Sequence, residues 1–413
     1  MTHESLNLTV VLSGGQKTGG GFHQALTNLR MLLTTLPEHF VITIVYSKGT
    51  FSRELAELQK QGLTSRATVV ALPRRLSTFR DRVLTDDRRI FQLARALLRI
   101  SGLDVATSVL ARFLDTSEAD LVYFTSPAPE GAQLQQKPFV WTLWDLCHRD
   151  FPEFPEVRTS GKFEAREEIN SRALRKASLV VVDSQELIDK AGLYFGVQNE
   201  KFVSIPFSPP LSRQIQTPRR EDIPPEVRDL AGRYFFYPAQ LWTHKNHVRI
   251  IEALRLANTQ GNNFHAVFAG KDHGAGQAIK REVSALGMES RVHFLGYVDD
   301  VAIPALYMNS IGLVMASYFG PTNIPPLEAM LLDTPVIASD IHRNQLGSAA
   351  LYFNPDDADE LSKLMVGISD TKVITHLLSA GRKRLAQIDD RREQGERELT
   401  QRLCALSARI LRP

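Results

Sequence analysis

Two short segments carry side chains whose types and spacing suit phosphate and hydroxyl chemistry. The first, Tyr237–His247 (YPAQLWTHKNH), follows an apolar strand pattern and precedes a helical one near Asn246. Lys245 then falls at the carboxyl end of the strand, the end at which open α/β sheets bind ligands. A lysine there neutralises a diphosphate as a point charge; the plain alternative is a solvated surface lysine. The second, Ala316–Met330 (ASYFGPTNIPPLEAM), runs from a strand end through Gly320, Pro321 and Asn323 to Pro325–Pro326. Proline is tolerated at the start of a helix, so the pair opens one and Glu328 falls in its first turn. Such a start offers unpaired amides and a positive dipole end to phosphate, and a carboxylate beside it accepts hydrogen bonds from a ribose diol. The alternative is that Glu328 only caps its own helix.

The first half offers less. Gly19, Gly20 and Gly21 end the run GGQKTGGG and lead into a helix at Phe22. Glycines let a backbone approach a phosphate closely, or simply make a tight turn. They do not fit G-x-G-x-x-G, so a dinucleotide fingerprint is not supported. Asp145 ends the strand-like FVWTLWD, where a carboxylate orients a hydroxyl or caps the following turn. His148, Arg149 and Asp150 follow it as cleft-lining residues. Asp357-Ala-Asp359 is literally Asp-x-Asp, but its place after Asn354-Pro355 and before a helical run reads as capping. The 11 histidines show no zinc-site pairing, and G-x-S-x-G is missing. No metal site is expected.

Strand patterns at Leu6–Ser13, Phe40–Tyr46, Ala67–Leu72, Asp120–Phe124, Phe139–Leu143 and Leu179–Val182 alternate with helical ones. A second alternation has strands at Tyr234–Tyr237, Ala266–Ala269, Val292–Leu295, Gly312–Met315 and Pro335–Ala338. Strands alternating with helices imply parallel sheets covered on both faces. Between the two sets, Ser204–Pro225 holds six prolines, a linker signature. The expected division is residues 1–205, a proline-rich linker 206–226, residues 227–390, and a helical 391–413 that can cross back to the first domain. The expected class is α/β, two Rossmann-like domains whose parallel sheets face a central cleft.

The second half resembles the catalytic domain of glycosyltransferase family 4. YPAQLWTHKNHVRIIEAL resembles that family's strand–Gly-Arg–loop–Lys–helix motif. HAVFAGK followed by RVHFLGYVDD resembles its next two strands, and FGPTNIPPLEAMLLDTPVIAS its Glu-x7-Glu segment. FVWTLWD is similar to the family's strand ending in His-Asp, with Trp144 in place of the histidine. The resemblance implies a GT-B fold and a retaining, metal-independent hexosyltransferase that uses a nucleoside-diphosphate sugar as co-substrate and no other cofactor. Lys245 would hold the diphosphate, Glu328 the ribose, and the loop Arg291–Asp300 the base. Two departures stand out. The family's arginine five residues before the lysine is Gln240, whose amide hydrogen-bonds a phosphate without charge. Its first glutamate falls on Gly320, so Thr322, Asn323, Ile324 and the loop amides are left to read the sugar. The variant motif resembles bacterial transferases of surface polysaccharides such as O-antigen. This makes mannose from GDP-mannose the leading donor, with a UDP-sugar as alternative, and a glycan or polyprenyl-diphosphate-linked acceptor. An epimerase or phosphorylase on the same fold, and a nucleotide-sugar-binding protein without turnover, are the rivals.

Composition bounds these readings. A chain of 413 residues exceeds one hydrophobic core, and its 43% apolar and 23% charged residues are ordinary for a globular protein. A net charge of +3 argues against a nucleic-acid partner. The two cysteines, Cys147 and Cys404, suit a reducing compartment. No apolar run reaches a membrane span and no signal-peptide pattern opens the chain, so a cytoplasmic protein is expected. Arg74–Arg99 carries eight arginines against three aspartates, interleaved with leucine and phenylalanine. Such a stretch forms either a helix lying on an anionic membrane, here the inner face of the plasma membrane, or a solvated helix with its apolar side in the core. The interruptions at Asp81, Asp86 and Asp87 favour the second.

Overall fold

The structure, a computed structural model, describes residues 5–12, 20–47, 50–72, 108–209, 220–299, 301–320 and 322–412. Gly19, Pro321, Asp300 and the whole of Arg74–Arg99 lie outside these residues, as does the membrane reading that rests on the last. The chain divides into two compact units. The first comprises Met1–Asp150, Arg158–Pro206 and Arg391–Pro413; the second comprises Phe151–Val157 and Phe207–Asp390. Phe151–Val157, which the sequence division leaves in the first domain, thus packs with the second.

The first unit is built on seven parallel strands: β1 (Leu6–Leu12), β2 (Phe40–Ser47), β3 (Ala67–Leu72), β4 (Leu121–Phe124), β5 (Phe139–Thr142), β6 (Leu179–Val182) and β7 (Phe202–Ser204). Their order in the sheet is β3-β2-β1-β4-β5-β6-β7. Side chains alternate across the sheet with the period of a strand. Leu6, Leu8, Val10 and Leu12 face one core with Leu29 and Leu32 of the helix Gly20–Thr35. Val11 faces the other, with Phe124, Trp141 and Leu174. The helix Thr371–Ile410 contributes Leu399 and Leu403 to the first of these cores.

The second unit has six parallel strands: β8 (Tyr234–Tyr237), β9 (His265–Ala269), β10 (Val292–Gly296), β11 (Gly312–Met315), β12 (Val336–Ser339) and β13 (Leu351–Phe353). Their order is β10-β9-β8-β11-β12-β13. Both sheets therefore reverse their winding between the first and fourth strands, at β1/β4 and at β8/β11. At such a point the crossover helices lie on opposite faces and leave a crevice at the carboxyl ends of the strands. In the second unit those strand ends are Tyr237 and Met315, which deliver the Lys245 and Glu328 loops to one place.

Candidate active site

The loop after β8 is fastened before it reaches Lys245. The Leu241 amide donates to Lys271 O at 2.9 Å, and Trp242 Nε1 donates to Gln240 Oε1 at 2.9 Å. The Trp242 ring stacks on His273, centroids 4.4 Å apart. A single turn, Thr243–Lys245, follows and ends at Asn246 in the left-handed conformation, φ 57° and ψ 40°, which asparagine tolerates better than most residues. Asn246 Nδ2 holds that turn by donating to Pro355 O at 2.8 Å. Lys245 is half-buried at the strand end, and its carbonyl accepts from the Tyr237 hydroxyl at 3.2 Å. Next along the chain, His247 is 1% exposed between Tyr237 and Phe268, and burial pushes its imidazole down to about 3, so it stays neutral.

The loop after β11 is tied to the same turn. The Tyr318 amide donates to His244 O at 2.9 Å, and His244 stacks on Phe319 with centroids 3.9 Å apart. Gly320 has φ 84°, a left-handed backbone that disfavours a side chain. Asn323 is drawn inward: its Nδ2 donates to Gly320 O, its amide to Gln345 Oε1 at 2.9 Å, and its carbonyl accepts from Gln345 Nε2 at 2.7 Å. Thr322 is half-buried beside it. Ile324 is buried, and its carbonyl accepts the first helical bonds, from Leu327 at 2.9 Å and Glu328 at 3.0 Å. The helix Pro325–Leu331 then opens on its two prolines, as the sequence predicts. With only seven residues it adds little dipole, so side-chain charge has to do most of the work at this end. Glu328 is 9% exposed and its Oε2 accepts from the Tyr307 hydroxyl at 3.1 Å. Burial, and then the adjacent Glu328 charge, drive that phenol far up and keep it a donor.

Lys245, Gln240, Gly320, Thr322, Asn323, Ile324 and Glu328 thus gather on two neighbouring loops of one sheet. Sequence reasoning missed a third contributor, Phe151–Val157. Phe151 and Phe154 pack on Phe319 at 5.7 and 5.4 Å, and Glu156 Oε1 accepts from the His244 amide at 3.2 Å. The available signal was the repeated Phe-Pro-Glu, an apolar-acidic doublet with no helical or strand period. The strand β10 supplies half of Arg291–Asp300. Beyond it Tyr297 is exposed, with Lys271 Nζ 5.2 Å from its ring centroid.

In the first unit Gly20 and Gly21 begin the helix Gly20–Thr35. Gly21 has a packing reason to be glycine: a Cβ there would sit 2.5 Å from the Trp144 ring. Asp145, next to that tryptophan, is bound by Arg166 Nη2 at 2.8 and 3.0 Å and by the Cys147 amide at 3.0 Å. Burial works to raise its pKa, but Arg166 and the amide prevail and hold the carboxyl below the usual range. The amide bond is the turn cap that the sequence offered as the alternative. His148 and Arg149 both contact Glu167, at 2.8 and 2.7 Å, while Asp150 accepts from Lys190 at 2.8 Å and from the Tyr194 hydroxyl. Asp357 is the N-cap of the helix Ala358–Gly367, accepting from the Glu360 amide at 2.8 Å. Among the described residues, no group of three His, Cys, Asp or Glu side chains is placed to hold a metal.

Solved structures place this architecture in a class. HepE from Anabaena, determined in complex with UDP-glucose, covers 96% of the chain at a TM-score of 0.67 and 19% identity, matching 100% of its own length. Sucrose-phosphate synthase from Thermosynechococcus elongatus covers 97% of the chain and matches 100% of its own, at a TM-score of 0.63 and 16% identity. The fold is GT-B, two Rossmann-like parallel-sheet domains. Residues 218–365, which include both loops of the site, match the family described as "Glycosyl transferases group 1". The match lies within the second unit and covers about a third of the chain. O-antigen chain mannosyltransferase RfbU of Salmonella typhimurium is 29% identical over 187 residues, 45% of this chain and 49% of its own length. O-antigen chain mannosyltransferase B of Escherichia coli is 34% identical over 76 residues, 18% of the chain and 20% of its own length. The chain therefore spans about half the length, or less, of the curated relatives it matches.

Proposed function

We propose that this protein is a retaining hexosyltransferase that takes mannose from GDP-mannose and adds it to a glycan or polyprenyl-diphosphate-linked acceptor in surface-polysaccharide synthesis. The observation that carries the reading is the convergence of a half-buried lysine and a buried glutamate at the carboxyl ends of β8 and β11, where that sheet reverses its winding. The two O-antigen mannosyltransferase relatives support the donor and the acceptor class. Lys245 neutralises the departing diphosphate, and electrostatic stabilisation of that leaving group is the main catalytic effect. Glu328, backed by Tyr307, accepts from the ribose hydroxyls. The bond from the anomeric carbon to the diphosphate breaks while the acceptor oxygen bonds to that carbon on the same face. The acceptor proton passes to the leaving phosphate, so no protein nucleophile is needed.

UDP-glucose in the related HepE structure favours a UDP-sugar as the second reading. The two are separated by supplying purified protein with GDP-mannose or UDP-glucose and a polyprenyl-diphosphate-linked saccharide, then analysing the product by mass spectrometry and anomeric NMR. Mannose transferred with its α configuration kept is the expected result. Transfer of glucose alone selects the second reading. A free epimerised sugar, or tight nucleotide binding without any transfer, contradicts both.

A further inference from the structure

Gly320 occupies the place of the resembled family's first glutamate, and its left-handed backbone, φ 84°, explains why no glutamate sits there. A carboxylate nevertheless reaches this neighbourhood from another part of the chain. Phe151–Val157 packs with the second unit, and its aromatic rings lie on the residues just before Gly320. Phe151 stacks on Phe319 at 5.7 Å, and Phe154 meets Tyr318 at 5.2 Å and Phe319 at 5.4 Å. Glu156 is carried in by these rings. One of its oxygens, Oε1, takes the His244 amide at 3.2 Å and lies 3.3 Å from His244 Nδ1. His244 in turn stacks on Phe319 and is bonded in sequence to Lys245.

The second oxygen is not accounted for. The Glu156 side chain is one-tenth exposed, and Oε2 is buried with no hydrogen-bond partner among the described residues. A buried carboxylate oxygen without a donor is costly to leave unsatisfied. Burial works to raise the Glu156 pKa, but its bonds to His244 and to its own backbone amide win and bring it down to about 2, so the group is an anion. A hydroxyl is the donor type a sugar supplies, and this anion stands one aromatic ring from the loop that lacks its family carboxylate.

We propose that Glu156 is a specificity-determining residue that replaces the carboxylate lost at Gly320: Oε1 stays on His244 while Oε2 accepts a hydroxyl of the transferred sugar. The proposal rests on the transferase reading above, and the test keeps the two apart. Wild type and Glu156→Gln are titrated calorimetrically with GDP, GDP-mannose, UDP and UDP-glucose. Glutamine keeps the size and one acceptor for His244, but loses the charge that the sugar hydroxyl meets. For whichever base binds, affinity for the nucleotide sugar should fall roughly tenfold or more. Affinity for the bare nucleoside diphosphate should stay nearly constant, which also shows the variant to be folded. Glu156→Asp, which keeps the anion but withdraws it by one methylene, carries the same expectation and serves if the glutamine variant does not fold. An equal loss for both ligands would make Glu156 a strut for the Lys245 turn and overturn the proposal. An unchanged preference for the nucleotide sugar would overturn it too, while leaving the transferase reading intact. Failure of wild type to bind all four ligands would remove that reading and this one together.

Discussion

Asp145 and Glu328 are both carboxylates on segments that follow strands of parallel sheets, the first in a turn and the second in a short helix, yet their surroundings differ. Asp145 is held by a guanidinium through both oxygens and by an amide; nearby in sequence, Arg149 pairs with Glu167, to which His148 also bonds. Glu328 is more buried and accepts from a phenol held far above its usual pKa. An aspartate matched by arginine is at home without a substrate, because the pair already satisfies its charge. A buried glutamate that accepts from a phenol is already placed to accept from hydroxyls, the donor type that a ribose presents. The difference teaches that position at a strand end nominates a residue, while its partners decide what it does.

Replacing Glu328 should break the comparison most visibly. Glu328→Ala should fold normally and lower kcat/KM by roughly tenfold to a hundredfold, the value of about 1.5–3 kcal/mol for hydrogen bonds to a charged acceptor. Steady-state kinetics decide it, and near-normal turnover would remove Glu328 from the site.

A second effect appears in stability against pH. His247 has a folded pKa of about 3 against an ordinary 6.5, so the unfolded chain binds its proton first as pH falls. The stability from keeping this imidazole neutral is fully present above 6.5 and declines toward 3, by roughly 1.4 kcal/mol per pH unit. His247→Phe, which keeps a ring between Tyr237 and Phe268, should flatten denaturant midpoints across that interval. An unchanged slope would mean that water or a partner reaches the ring.

Asp145→Asn should have the smallest effect. The pair with Arg166 is about one-third exposed, so solvent screens it and its loss should lower stability by about 1 kcal/mol or less. Because the folded pKa of Asp145 is depressed, that contribution is present above the ordinary carboxylate range and disappears as pH falls through the folded value. Transfer should survive. A folded Asp145→Asn variant without activity would instead give Asp145 the hydroxyl-orienting role that its place past a strand end offers.

Much of the fold was legible because parallel strands buried on both faces read as short apolar runs. Ala67–Leu72, Leu179–Val182, Tyr234–Tyr237 and Gly312–Met315 have the bounds that pattern predicts. The strands β7 and β13, at sheet edges and three residues each, are too short to show a period; Phe202–Ser204 runs into the proline-rich stretch that reads as linker. In the site, Lys245 and Glu328 were visible from strand-end and helix-start signals. Three things were not. The Trp242 hold on the Gln240 carbonyl depends on side chains meeting in space. So do the Gln345 bonds that draw Asn323 inward, from 22 residues away in sequence. Glu156 reaches His244 across 88 residues, a separation that no local pattern encodes.

In the proposed function, the crevice at β8 and β11 holds a diphosphate by charge. The most direct measurement is a calorimetric comparison of GDP and UDP with guanosine and uridine, on wild type and Lys245→Ala. The lysine variant should lose affinity for the diphosphate and bind the bare nucleoside as wild type does. An equal loss for both, or no loss for either, would contradict it.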